Sequence, residues 1–314
     1  MKGDKKLWFR IFGKLSGLGL LNWIPDCMYL KICYRGEMHK KLNLKEPKTF
    51  NEKLQWLKLH DRKPEHTMMV DKYEAKRYVA SIIGDEYIIP TLGIWERFED
   101  IDFSTLPNQF VLKCTHDSGG LVICKDKNKL NIDEAKNKIQ KCLTRNYFYS
   151  GREWPYKNVK PQIIAEKYMT DSEDSQELTD YKIHCFNGVP RVILVCRNRF
   201  GNMTEDFFSE NWEHIPVERP NHPNAAVRIE EPDELKQMID LAEKLSKDIP
   251  FVRTDFYTIN KKIYFGEMTF FPASGMEAFK PEEYDHIWGE WITLPVQGGN
   301  TPKRQYVCSD YCEK

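Results

Sequence analysis

Two stretches late in the chain, residues 251–257 and 262–267, place charged side chains inside strand-forming, otherwise apolar runs. The first reads Phe251-Val252-Arg253-Thr254-Asp255-Phe256-Tyr257 and the second Lys262-Ile263-Tyr264-Phe265-Gly266-Glu267, with a turn near Asn260-Lys261 between them. Asp255 and Glu267 are an even number of residues apart, so a loop of odd length sets them opposite each other on one face of a hairpin. Thr269, two residues beyond Glu267, shares that face. Opposed carboxylates repel unless something neutralises them, and the following Phe270-Phe271-Pro272 is too apolar for an exposed edge. The pattern therefore calls for a cation held by Asp255, Glu267 and Thr269; the plainer alternative is a pair of solvated surface acids.

A second segment points the same way. Phe110-Val111-Leu112-Lys113-Cys114-Thr115-His116-Asp117-Ser118-Gly119-Gly120 reads as a strand that delivers a lysine to a glycine-ended loop. A triphosphate needs a fixed ammonium, unhindered backbone N–H groups and a divalent cation on hard oxygen ligands. Lys113 supplies the first, Ser118, Gly119 and Gly120 the second, and Asp255 with Glu267 the third. The glycines run directly into Leu121-Val122-Ile123-Cys124, so the loop joins two strands rather than opening a helix, unlike a P-loop. Alone, this would be an ordinary hairpin with a solvated lysine.

The chain of 314 residues is long enough for two or three subdomains. Its 47 basic and 47 acidic residues balance, which argues against a nucleic-acid binder with a broad basic surface. Nine cysteines are scattered without a C-x-x-C pair and read as reduced thiols of a cytoplasmic protein. Cys185 and Cys196 lie in apolar strand-like runs, and Cys308 and Cys312 near the end could take an adventitious metal ion. No run approaches the length of a membrane span. The basic, aromatic N-terminal segment, with Trp8, Phe9 and Phe12 among lysines, reads either as a docking helix for the main body or as an interfacial helix at an anionic membrane surface. It lacks the small-residue cleavage site of a signal peptide.

The periodicity predicts helices within residues 49–80, over 72–83 ending at Gly84, over 133–146, and from Pro232 onward. Strands are predicted over 88–95, 109–114, 121–124, 162–169, 181–186 and 191–196. This mixture is α+β. The acidic stretch between Met169 and Asp180 reads as a surface loop.

Taken together, these residues resemble the ATP-grasp superfamily, and within it the TupA-like branch of bacterial surface-polysaccharide loci. The resemblance runs from about residue 42 to 272. It is carried by Pro47-Lys48-Thr49-Phe50-Asn51-Glu52-Lys53-Leu54-Gln55-Trp56, Val70-Asp71-Lys72, Phe110-Val111-Leu112-Lys113, Ala165-Glu166-Lys167-Tyr168, Asp180-Tyr181-Lys182-Ile183-His184-Cys185-Phe186-Asn187-Gly188 and the two carboxylate strands. It implies ATP and Mg2+ held between two α+β subdomains, with a helical N-terminal extension over 1–48, a central region over 49–107, a small subdomain over 108–168, a large one over 169–296 and a tail over 297–314.

The resemblance also implies roles. Lys113 would contact the phosphates, with His116, Ser118, Gly119 and Gly120 in a lid. Glu166, Lys167, Tyr168 and Met169 would meet adenine through their backbone, Asp180 the ribose, and Lys182 a phosphate. Asp255 and Glu267 would hold the cation, and Arg253 would steady the transferred phosphoryl group. Where superfamily members commonly carry asparagine, this chain has Thr269, a weaker oxygen ligand. His116 and His184 are the candidates for a general base.

The implied reaction joins a carboxyl group, such as that of a uronic acid, to an amine through an acyl phosphate, with release of ADP. Three alternatives compete. They are a glycosyltransferase using Asp100-Ile101-Asp102, a sugar kinase, and a membrane-docked scaffold without activity. Oligomeric state is not legible in the sequence.

Overall fold

The structure, a computed structural model, describes residues 11–170, 179–197, 203–220 and 222–296. The acidic stretch after Met169, most of the basic N-terminal segment including Trp8 and Phe9, and Cys308 and Cys312 lie outside these residues.

Two antiparallel sheets organise the chain. The smaller has the order β1-β4-β2-β3, from Thr91–Trp95, Ile163–Lys167, Phe110–Cys114 and Leu121–Cys124. Alternation along β2 sends Phe110, Leu112 and Cys114 into a core with Ala135, Ile139 and Cys142 of the helix Ile132–Leu143. Val111 and Lys113 take the opposite face, where Leu121 and Ile123 of β3 and Glu166 of β4 join them by register. One face thus packs on a helix while the other keeps lysine and exposed aliphatics.

The larger sheet has the order β10-β9-β5-β6-β7-β8. Its strands are β5 (Asp180–Phe186), β6 (Val189–Arg197), β7 (Thr204–Ser209), β8 (His214–Ile215), β9 (Phe251–Ile259) and β10 (Lys262–Thr269). Ile183, Cys185, Phe256 and Met268 belong to a core that includes Met238, Leu241, Ala242 and Leu245 of the helix Leu235–Ser246. The helix Phe50–His60 joins the same core through Phe50, whose ring lies 4.9 Å from Phe251 and 6.0 Å from Trp288. Burial pushes the Cys185 thiol up to about 12, in keeping with a core role.

Two expectations need correction. Residues 49–107 do not form a region of their own, because Phe50–Ile83 supply core residues to the large sheet while β1 is an edge of the small one. The small unit therefore begins before residue 108. The hairpin is also built differently. Its loop is the two-residue Asn260-Lys261, both at positive φ (50° and 61°), which is an even-length tight turn. Ile259 pairs with Lys262 and Phe256 with Phe265, a register that would put Gly266 opposite Asp255. A bulge at Gly266 absorbs one residue and brings Glu267 opposite Asp255.

A β-carbon at Gly266 would lie 2.9 Å from Tyr257 Cε2 and 3.1 Å from the Asp255 carbonyl oxygen. Gly266→Val is accordingly expected to cost about 1–3 kcal/mol of stability by overpacking, read as a fall in the urea midpoint.

Candidate active site

The polar face of the large sheet is assembled by register. Cross-strand pairing sets Lys182 beside Asp255, Asp255 beside Glu267, and Arg253 beside Thr269. Arg253 lies across the group. Its Nε and one terminal nitrogen each donate to Asp255 at 2.7 Å, and the same terminal nitrogen reaches Glu267 Oε1 and Thr269 Oγ1 at 3.1 Å each. Lys182 donates to Asp255 and, at 2.7 Å, to the fully buried Asp180. Burial alone would raise the Asp255 carboxyl, but Arg253 and Lys182 outweigh it and hold it at about 2. Burial works against the Lys182 ammonium too, yet Asp255 and Asp180 keep its pKa above the ordinary value.

The neutraliser demanded by the opposed carboxylates is therefore present as an arginine. Both Asp255 oxygens are engaged, and Glu267, with its side chain 46% exposed, is the carboxylate that faces solvent. Asp255, Glu267 and Thr269 still form the hard-oxygen donor set that magnesium takes. A cation seated here shares Asp255 with the guanidinium or displaces it. Among the described residues no three His, Cys, Asp or Glu side chains form a metal-binding group.

A cleft of about 1020 Å³ opens on the exposed face of the small sheet, lined by Val111, Lys113, Leu121 and Ile123, by Lys125, Asp126, Lys129 and Glu134 beyond β3, by Lys167 to Met169 at the end of β4, and by Tyr257 of the large sheet. Its apolar strand face suits a planar base. Lys113 is held by Glu166 at 2.6 Å, and Lys76 meets the other Glu166 oxygen at 2.5 Å. Burial would raise the Glu166 carboxyl, but Lys113 and Lys76 prevail and hold it at about 2. The Glu166 side chain thus positions two lysines, which leaves the backbone of Glu166 to Met169 as the expected adenine contact. Asp180 is likewise buried, paired with Lys182 at 2.7 Å.

In the glycine loop, Asp117 Oδ1 accepts from Gly119 N at 3.3 Å and Gly120 N at 3.0 Å. A side-chain carboxylate therefore sits where the backbone donors were expected to take phosphate. Gly120 is needed sterically as well, since a β-carbon there would lie 2.6 Å from Cys114 Sγ. Ser118 Oγ is 3.4 Å from the Tyr147 hydroxyl.

Both histidines are buried. The His116 Nε2 lies 3.1 Å from the carbonyls of Cys142 and Arg145 at the end of the helix Ile132–Leu143. Two carbonyl partners require that nitrogen to be the N–H donor. His184 is packed among Phe207, Phe251 and Trp288, and burial, reinforced by Arg253, lowers its pKa to about 3. It is a core residue.

A pH dependence follows. The folded His184 stays neutral while the unfolded chain protonates below its ordinary 6.5, so stability is full above that value and falls with pH toward 3. His60 and His66 are shifted in the same direction, each by burial first. His184→Phe is expected to remove one proton's worth of the slope, about 1.4 kcal/mol per pH unit, from denaturant titrations between about pH 6 and pH 5.

Two lysines of this site carried no assigned role in the sequence. Lys72, in the turn before the helix Glu74–Ile83, donates to the Asp117 carbonyl and so ties that turn to the glycine loop, and burial lowers its pKa against the pull of Glu267. Lys76 buttresses Glu166 and also donates to the Ile89 carbonyl at 2.7 Å. The signal was Val70-Asp71-Lys72, in which Asp71 caps the helix Glu74–Ile83 through Tyr73 N and Glu74 N, placing Lys72 at the loop. Asp100 and Asp102 do not form a cation site. Asp100 is bound by Arg97 at 2.6 Å, and Asp102 accepts from Ser104 in a local turn.

Comparison with known proteins places residues 52–293 in the family described as TupA-like ATPgrasp. No curated protein matches the sequence significantly. Solved structures similar to the chain include D-alanine–D-alanine ligase from Bacillus anthracis complexed with ATP, at 16% identity and a TM-score of 0.38 over 64% of this chain and 53% of that one. D-alanine–D-alanine ligase from Helicobacter pylori matches at 15% identity and a TM-score of 0.37 over 72% and 63%. The biotin carboxylase domain of 2-oxoglutarate carboxylase from Hydrogenobacter thermophilus matches at 16% and 0.39 over 64% and 40%. The chain spans less than two thirds of the length of each.

Proposed function

This chain belongs to the TupA-like ATP-grasp family, and we propose that it is an ATP-dependent ligase joining a carboxyl group to an amine. The observation that carries the reading is the gathering of Arg253, Lys182, Asp255 and Glu267 on one sheet face, with Lys72 close enough to feel both Glu267 and Lys113 of the small sheet. In this reading ATP lies in the cleft, with its base against Val111 and Ile123 and the backbone of Lys167, Tyr168 and Met169. Lys113 and Lys182 meet its phosphates, and the glycine loop closes as phosphate oxygens replace the Asp117 carboxylate on Gly119 N and Gly120 N.

Mg2+, held by Glu267 and Thr269 with a share of Asp255, would supply charge neutralisation for the phosphates. Arg253 is preorganised beside the same carboxylates, where a fixed guanidinium stabilises charge that builds on a transferring phosphoryl group. A carboxylate oxygen of the donor attacks the γ-phosphorus, the bond to the β-phosphate oxygen breaks, and an acyl phosphate and ADP result. The amine nitrogen then attacks the acyl carbon, phosphate departs with the C–O electron pair, and a proton is lost from nitrogen. His184, buried among aromatic rings, is not placed to take that proton, whereas among the described residues the His116 ring engages the chain only through Nε2.

The donor we favour is a uronic acid and the acceptor an amino acid or other amine, in assembly of a cell-surface polysaccharide on the cytoplasmic side. This rests on the family resemblance.

The test is ATP turnover with magnesium across paired carboxylates and amines, with ADP, AMP and phosphate resolved and products weighed. The expected result is ADP and phosphate only when both substrates are present, with a product lighter by one water than their sum. Lys113→Ala and Glu267→Gln should each lower turnover by about 10²-fold or more, and chelating the magnesium should abolish it. A phosphorylated sugar would make the protein a kinase instead.

A further inference from the structure

The register of the two sheets gives the nucleotide a direction. In the small sheet Phe110 pairs with Lys167 and Cys114 with Ile163, so the segment from Lys167 to Met169 lies at one end of β2 and the glycine loop at the other. In the large sheet the pairs Asp180 with Tyr257, Lys182 with Asp255 and His184 with Arg253 follow in order along β5 and β9. Tyr257 lines the cleft beside Lys167 to Met169, so Arg253, with Thr269 opposite it, stands at the far end. In the ligase reading the base takes the first end and the γ-phosphate the second, and the group that receives the phosphoryl must enter beside Arg253.

Two tyrosines stand at that end. Both come from the connection between the helix Ile132–Leu143 and β4. Tyr147 precedes the short helix Phe148–Gly151, and Tyr156 lies in the helical turn Trp154–Asn158. That turn packs against the helix Glu65–Val70, which in turn packs on β10. The two rings meet edge to face at 4.8 Å, so each fixes the other. Ser118 Oγ of the glycine loop donates to the Tyr147 hydroxyl at 3.4 Å. Glu267 lies close enough for its charge to act on both phenols, with Asp117 of the glycine loop acting on Tyr147 and Arg253 on Tyr156. The pair thus reaches from the glycine loop to the catalytic face.

Their phenol protons are unspent. Tyr147 accepts from Ser118, and among the described residues the Tyr156 hydroxyl has no hydrogen-bond partner. Burial first, and then Glu153, raises both pKa values, so both groups remain protonated donors at neutral pH. A carboxylate only accepts hydrogen bonds, and a guanidinium flanked by phenol donors is a set that matches it. Glu267, the other acceptor at this end, is the one that the cation takes in the ligase reading.

We propose that Tyr147 and Tyr156 form the wall against which the carboxyl donor is held, with the Tyr156 hydroxyl donating to its carboxylate beside Arg253. The inference rests on the ligase reading and adds to it the place of the second substrate. Tyr156 touches that substrate, and Tyr147 positions Tyr156 through the ring contact.

The test is steady-state kinetics of Tyr156→Phe, which keeps the ring pair and removes only the hydroxyl, with magnesium ATP, an amine, and glucuronate or whichever carboxylate the parent turns over fastest. The expected result is a KM for the carboxylate raised about 10-fold or more, as for loss of one hydrogen bond to a charged group, with the KM of ATP within about 2-fold of the parent. The urea midpoint should stay where it is, because the hydroxyl holds nothing in the free protein, whereas a structural hydroxyl would lower it. An unchanged carboxylate KM would overturn the proposal and leave the ligase reading standing. A loss carried by the KM of ATP, or by the midpoint, would do the same. A parent that joins no carboxylate to an amine would overturn both.

Discussion

Arg253→Met is expected to lower ATP turnover by about 10³-fold or more and to destabilise the fold by about 3–5 kcal/mol. Both effects have one origin. The guanidinium holds the two oxygens of the buried Asp255 and reaches Glu267 and Thr269, so its removal leaves two facing carboxylates with Lys182 as their remaining direct cation. A buried carboxylate that loses a bidentate partner is stranded, which is the costly case among buried ion pairs. Raising magnesium should restore part of the stability, because the cation substitutes for the lost charge at the same oxygens, but not turnover, because the positioned donor is gone. Thermal melts with and without the ion, beside single-turnover rates, separate the two losses.

Lys58→Met is expected to cost a similar about 3–5 kcal/mol while leaving ATP affinity nearly unchanged. Lys58 is 0% exposed, and its ammonium donates to the carbonyls of Gly151 at 2.7 Å and Ser274 at 2.8 Å and to Ser274 Oγ at 2.9 Å. Burial pulls its pKa down to about 8 against the attraction of the buried Glu153. Methionine fills the space but deprives the Gly151 carbonyl of the ammonium donor, leaves the Ser274 carbonyl to Gln55 alone, and removes the cation that attracts the buried Glu153. The loop concerned follows Thr269 and holds Ala273, Ser274 and Gly275 at φ of 46°, 54° and 59°, a left-handed run whose first two residues are not glycine. Such backbone persists only where its surroundings enforce it. Gln55 adds to the enforcement, donating to the carbonyls of Ser274 at 3.0 Å and Gly275 at 2.6 Å. Release of this loop should raise the KM of the second substrate more than that of ATP, and urea titration reads the stability loss directly.

These residues show what the sequence conveyed and where it fell short. The strands and the pairing of Asp255 with Glu267 were legible because alternation and spacing are local properties. The turn and bulge that produce the pairing were not, since a two-residue turn plus one extra residue gives the same register as an odd loop. Thr49-Phe50-Asn51-Glu52 was noted as a mark of the family, and its physics is now explicit. Thr49 caps the helix in a reciprocal box with Glu52, Phe50 enters the aromatic core, and Asn51 binds Asp285 and the backbone of Glu277.

The side-chain partners of the site were the hidden part. The resemblance gives Arg253 to a transferred phosphoryl group, the backbone of Glu166 to adenine and His116 to the lid, and says nothing of what their side chains touch in the protein itself. In the structure Arg253 bridges the carboxylates, Glu166 clamps two lysines, and His116 closes a helix end. The partners of Glu166 and His116 are distant in the chain, Lys76 for the one and Arg145 for the other, so no local pattern encodes them, whereas Arg253 and Asp255 are two residues apart on one strand face.

The most direct test of the central claim follows oxygen. Turnover of a donor whose carboxylate carries oxygen-18, with an amine and magnesium ATP, should yield phosphate bearing one labelled oxygen for each amide formed, because the acyl phosphate leaves a donor oxygen on phosphorus. Unlabelled phosphate, or AMP and pyrophosphate in place of ADP, would contradict the account.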